Sequence, residues 1–319
     1  MQANGWKSKH WANTNALVLS SRLDVIKGEF ESRLDRRGWK IAHRSRDIAH
    51  SFGILRSGEV SAFIIVDTPE LPAAIIMRNQ LTDPIALLTP TLVISPYEEK
   101  DRGFLKGIGL PEILNTADNP AMFVDSLEYL LRSWSSTLFK KVYEARQLMI
   151  RGKHVQALQL MSILLKTRDL MPLITPPLSK AIRLQKDAKL VEKVLLGALK
   201  EFPRNLGIIL ASIDFYINMA MPHMARKIID RALKNLGNPT VMIPEQIQTY
   251  IMMNDLDSCI PLLESLITEN IMPQTCKSFL SRCLFAEGYV DGFINSIEHS
   301  RPVYEAFQTA WHKKPGESA

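Results

Sequence analysis

Asp67 stands directly after the apolar run 63–66, Ser95 closes the run 91–95, and Ser20 and Ser21 end the run 15–20. With Asn115 and Thr116 after residues 112–114, these are the polar side chains placed where strands give way to loops. Asp67 is the one carboxylate in that set. A lone carboxylate at a strand end has a structural use: it accepts from the first N–H groups of the next helix, here near Pro69. It makes a weak metal site, because Mg²⁺ needs carboxylate oxygens to offset its charge and its reluctant dehydration.

Other chemistry has little to stand on. Gly103, Gly107 and Gly109 do not form a Gly-x-Gly-x-x-Gly turn, and neither His-Glu-x-x-His nor a nucleophile elbow occurs. The seven histidines are scattered, and His43 and His50 read as ordinary core or surface residues rather than a ligand pair. Cys259, Cys276 and Cys283 are an odd set without Cys-x-x-Cys spacing, which argues against a disulfide framework or a zinc site. Cys276 and Cys283 fall on one expected helix, about 10 Å apart and too far to bridge. Buried reduced thiols fit a reducing compartment. The expectation is a non-enzymatic, cytoplasmic chain without cofactor or metal.

The elements that place Asp67 and Ser95 alternate in type. Strands are expected at 15–20, 39–43, 61–66, 91–95 and 112–114, with helices at 24–38, 46–55, 72–79, 98–107 and 120–134. Residues 61–66 form a continuous run ending in β-branched Ile64, Ile65 and Val66, as in the middle of a parallel sheet. Five strands alternating with five helices imply a doubly wound α/β fold with its chemistry at the carboxyl ends of the strands.

This order resembles the receiver domain of bacterial response regulators over residues 14–134. The resemblance rests on Phe-Ile-Ile-Val-Asp-Thr-Pro (63–69), Leu-Val-Ile-Ser-Pro (92–96) and Gly-Leu-Pro-Glu-Ile-Leu-Asn-Thr (109–116). It implies that Asp67 matches the phosphoryl acceptor and Ser95 the hydroxyl after the fourth strand. Ser20 and Ser21 stand where receivers carry the acidic pair that holds Mg²⁺, and Thr116 stands near the place of their lysine. Phosphoryl transfer depends on positioning and charge neutralisation. Without the acidic pair and the lysine, phosphorylation of Asp67 is expected to be impaired.

The second half carries a 34-residue beat. Gly152, Lys186, Ala220, Asn254 and Gly288 form one series, Ala157, Val191, Ala225, Cys259 and Phe293 a second, and Leu164, Ala198, Ala232, Leu266 and Ser300 a third. The first series marks turns, and the others mark small or apolar positions on the following helix. A fixed period of this length points to stacked helical hairpins. The expected units are 138–171, 172–205, 206–239, 240–273 and 274–301, with a terminal helix at 304–312. Prolines 172, 203, 222, 239, 244 and 273 fall at boundaries or first turns, where a missing N–H does no harm.

The repeat resembles the tetratricopeptide repeat, best at Ala145…Gly152-Lys-His-Val-Gln-Ala157…Leu164, though the family's aromatic signature residues are mostly absent. The resemblance implies a groove lined by the first helix of each hairpin. Arg146, Met149, Lys180 and Arg183 would line its first half, and Asp214, Asn218, Gln248 and Met252 its second. The basic side chains would give an acidic segment charge-assisted contacts, and the methionines adaptable apolar ones.

The 319 residues suggest about two domains. The expected division is a tail at 1–13 bearing Trp6 and Trp11, a receiver-like domain at 14–134 and a helical repeat domain at 138–312. The net charge of +6 is too modest to imply nucleic acid. It is unevenly spread: residues 1–134 hold 16 basic and 16 acidic side chains, residues 138–234 hold 18 and 7, and residues 235–319 hold 5 and 10. No apolar run is long enough for a membrane span. Together these features suggest a protein-binding adaptor in a bacterial regulatory, motility or secretion assembly, with an acidic partner segment and with homo-oligomerisation left open. The rivals are a working phosphorelay regulator phosphorylated on Asp67 and a nucleic-acid binder using the basic repeats.

Overall fold

The computed structural model describes residues 14–21, 28–36, 38–68, 70–71, 73–95, 113–115, 136–184, 186–235 and 242–268, with short helical pieces at 125–126, 129–130, 277 and 280. The expected tail, the helix at 98–107, most of the helix at 120–134, the fifth hairpin and the terminal helix lie outside the described residues. Two compact units are present, Met1–Phe215 with Arg231–Asn238, and Tyr216–Asp230 with Pro239–Ala319.

The chain begins with a parallel α/β sheet. Its strands are β1 (Asn15–Leu19), β2 (Lys40–Ser45), β3 (Ala62–Val66) and β4 (Thr91–Ser95), in the order β2-β1-β3-β4. The fifth strand expected at 112–114 is a three-residue segment, β5 (Ile113–Asn115), which pairs with β4 through Val93↔Ile113. Ala62–Val66 and Thr91–Ser95 are buried throughout. Their continuous Ile, Val and Leu runs suit strands covered on both faces. β1 pairs in parallel with both β2 and β3, so each link must cross over through a helix.

The described crossover helices are α1 (Glu29–Arg36), α2 (Ile48–Ser57) and α3 (Ala73–Thr82). Asp47 caps α2, accepting from the His50 N–H at 2.6 Å. α2 ends at Gly58 with φ 81, and a Cβ there would also meet the Ile150 side chain at 3.2 Å.

A helical region follows, comprising α4 (Thr137–Ile150), α5 (His154–Leu164), α6 (Met171–Leu184), α7 (Ala188–Glu201), α8 (Leu206–Asn218), α9 (Pro222–Asn235), α10 (Ile243–Met253) and α11 (Leu256–Thr268). α4 packs on α5, α5 on α6, α6 on α7, and α10 on α11. The 34-residue register is visible in the backbone. Gly152, Lys186, Ala220 and Asn254 all have positive φ, between 54° and 69°. Each lies in the turn after the first helix of a hairpin, where a left-handed residue lets the last carbonyls find donors. Gly152 and Lys153 donate to Met149 and Leu148, and Asn254 and Asp255 donate to Ile251 and Tyr250. The other two series are buried at every described member: Ala157, Val191, Ala225 and Cys259, and Leu164, Ala198, Ala232 and Leu266.

α6 runs through two prolines. It starts at Met171 and carries Pro176 and Pro177 inside it, both buried. Their lost N–H bonds disfavour a helix locally. Burial of Ile174, Thr175, Leu178 and Ala181 along the same helix supplies the packing that outweighs that cost. Gly207 lets this neighbourhood close: a Cβ there would lie 3.2 Å from Leu81 and 3.7 Å from Pro176.

Candidate functional site

At the carboxyl end of the sheet, Asp67 is buried and both of its oxygens are engaged. Oδ1 accepts from the Ala73 N–H at 2.8 Å, at the first residue of α3, and Oδ2 accepts from Ser95 Oγ at 2.8 Å. The first bond satisfies one of the donors a helix leaves open at its start. Ser21 Oγ donates to Thr68 Oγ1 at 2.9 Å and to Glu70 Oε2 at 3.2 Å, and Ser20 is fully buried. Asp67 and Ser95 are thus brought together, in an arrangement that closes β3 onto α3. Among the described residues no group of His, Cys, Asp and Glu is placed to hold a metal ion. Thr116 lies outside the described residues.

A second cluster forms where the α/β layer meets the first hairpins, within one compact unit. Arg146 on α4 is fully buried, and its Nη2 donates to the carbonyls of Leu55 at 2.9 Å and Val60 at 3.1 Å. Its Nε and Nη1 have no protein acceptor. Burial pushes the guanidinium down to about 10, partly opposed by Tyr143 and Asp83. One turn earlier, Tyr143 shares a buried 2.8 Å hydrogen bond with Ser61 Oγ. The Arg146 guanidinium also stands 6.0 Å from the Tyr143 ring centroid, at the outer reach of a cation–π contact. Lys180 on α6 donates from Nζ to the carbonyl of Thr82, and burial lowers its pKa against the pull of Asp214 and Asp83. Asp83 in turn accepts from Arg56 Nε at 2.5 Å and from the N–H groups of Ile85 and Ala86.

The eight side chains expected to face a groove therefore divide. Arg146 and Met149 are buried, with Arg146 bonded to the α/β layer. Lys180 also reaches that layer, and Arg183 pairs with Asp214 at 3.1 Å. Asn218, Gln248 and Met252 are exposed. Arg146, Lys180, Asp214 and Gln248 are spaced by 34 residues and occupy one repeat position, yet run from fully buried to exposed. Arg146, Lys180 and Arg183 were expected to offer cations to an acidic segment; Arg146 is instead fully buried, and Lys180 and Arg183 each engage an acceptor within the chain. Tyr143, Ile150, Leu55, Val60 and Thr82 had not been singled out as site residues. For Tyr143 and Ile150 a signal is present in α4, where Val142, Tyr143, Arg146, Met149 and Ile150 share one helical face.

No helix among the described residues is long and apolar enough to cross a membrane. No protein-family model, curated protein or solved structure matches this chain.

Proposed function

We propose that this protein is a non-enzymatic adaptor that binds another protein through its helical hairpins. Its α/β half, in this reading, is a receiver-like domain turned to a structural use. The observation that carries the reading is the 34-residue register, with four left-handed turn residues and eight buried positions in phase. Repeated hairpins of this period build extended binding faces from the same position of successive units. The resemblance to tetratricopeptide repeats assigns that face to the first helix of each hairpin. The α/β layer already uses Arg146 and Lys180. The partner is therefore assigned to Gln248 and Met252 on α10 and to Asn218 at the end of α8, all exposed. Exposed Met252 beside Ile251, and exposed Met219 beside Asn218, supply adaptable apolar surface.

The test is affinity capture from native lysate with wild type and with Gln248→Glu combined with Met252→Glu, followed by cross-linking to locate the contact. A partner recovered by wild type, cross-linked near α10 and lost by the double variant supports the assignment. A partner retained by the double variant, or no partner at all, overturns it.

A further inference from the structure

The outward faces of α5 and α7 use the same repeat positions. On α7 the exposed residues are Lys189, Leu190, Lys193, Leu196, Gly197, Lys200 and the terminal Glu201, which fall on one side of a helix about 20 Å long. Lys189, Lys193 and Lys200 form a line of cations, and Leu190 and Leu196 flank it at 41% and 47% exposure. On α5, Val155 and Ile163 are 58% and 56% exposed, and exposed Lys153 and Lys166 flank the helix. α5 contains no acidic residue. On α7, Glu192 is half-buried, and the terminal Glu201 pairs with Arg168 at 3.6 Å. The α7 face is thus cationic and aliphatic together, which neither the sheet nor the hairpin core requires.

We propose that this face docks the protein on the surface of an anionic phospholipid membrane. The residue types select that occupant. Lysine is a hydrated point charge that suits a diffuse negative surface, whereas arginine is the usual fork for a fixed phosphate or carboxylate. Exposed leucine, isoleucine and valine gain by settling at the boundary of headgroup and acyl chain, beside lysines that stay at headgroup level. Anchor residues of protein interfaces are mostly Trp, Tyr and Arg, and single-stranded nucleic acids stack on aromatic rings. Neither α5 nor α7 contains Trp, Tyr, Phe or Arg. Attachment is peripheral, since neither helix could span a bilayer.

The experiment is co-sedimentation of the full chain with phosphatidylcholine vesicles, with and without phosphatidylglycerol, over a salt series. Binding is expected only with phosphatidylglycerol and falls as salt rises. Each lysine contributes about fivefold, so Lys189→Gln with Lys193→Gln and Lys200→Gln weakens binding about a hundredfold. Leu190→Ser with Leu196→Ser weakens binding while leaving its salt dependence unchanged. All five positions are exposed, so circular dichroism should match wild type. Equal binding to neutral vesicles, no binding to anionic ones, or binding untouched by the lysine variant overturns the proposal. So does a face that retains RNA or DNA at physiological salt through the same lysines but ignores vesicles.

Discussion

Arg146 Nη2 lies 2.9 Å from the carbonyl oxygen of Leu55, a residue 91 positions earlier in the chain. The bond joins the end of α2 to the first helix of the repeats, and a second one to Val60 strengthens the tie. A charged side chain taken out of water is favourable only while its partners remain. Arg146→Ala leaves two buried carbonyls without a donor and a void, and should cost about 3 kcal/mol. Arg146→Met refills the void and should cost about half as much. Urea unfolding monitored by circular dichroism checks both. In wild type the sheet and first hairpins should lose structure in one transition, because these bonds join them.

The left-handed turns give a prediction of the opposite sign. Ala220 and Lys186 hold φ values of 54° and 62°, where a Cβ is strained. Ala220→Gly should therefore stabilise the protein by about 0.5–1 kcal/mol, since relief of strain exceeds the added chain entropy. Gly152→Ala, at φ 69°, should destabilise it by about 1 kcal/mol. Melting temperatures that fail to move in opposite directions would contradict the turn assignment.

The readable parts of the fold were those with a strong period. β1, β3 and β4 fall within one residue of the expected runs, because buried strands leave uninterrupted apolar segments. The turn series was legible through spacing alone, although Lys186 and Ala220 are not residues that announce a left-handed turn. α6 is harder to read, because Pro176 and Pro177 disfavour a helix interior and only the packed neighbours show why the helix continues. The fate of Arg146 was hidden for a related reason. Charge on a repeat helix suggests a free surface until the layer that covers it is known. At the strand ends, Asp67 was legible as a helix cap, and the Ala73 N–H is the donor it meets.

That bond and the one from Ser95 set the outcome of a phosphorylation assay. Both Asp67 oxygens are committed, and the acidic pair that would bring Mg²⁺ is replaced by Ser20 and Ser21. Incubation with acetyl phosphate and Mg²⁺ should leave the intact mass unchanged. Asp67→Ala should instead reveal the structural role, with a loss of about 2 kcal/mol from the cap and the Ser95 bond. A mass gain abolished by Asp67→Ala would restore the phosphorelay reading.

Asp255 provides the pH test. It directly precedes α11, where its Oδ1 accepts from the Ser258 N–H at 3.2 Å and its Oδ2 meets Arg226 Nη1 at 2.5 Å. Arg226 also stands 5.3 Å from the Tyr250 ring centroid, which fixes its direction. Burial raises the Asp255 pKa, but hydrogen bonds from the Ser258 hydroxyl, Arg226 and the Ser258 N–H together hold it below its ordinary 3.8. The folded state therefore binds its proton less readily than the unfolded chain does. Its contribution is fully present well above pH 3.8 and is lost as pH falls through the lowered value. Asp255→Asn keeps an acceptor for the cap but removes the charge. It should be less stable than wild type by about 1 kcal/mol at neutral pH. The gap should close as pH drops below 3.8, read from urea midpoints at successive pH values. A gap that stays constant across that range would mean the carboxylate charge contributes nothing to holding α9 against the start of α11.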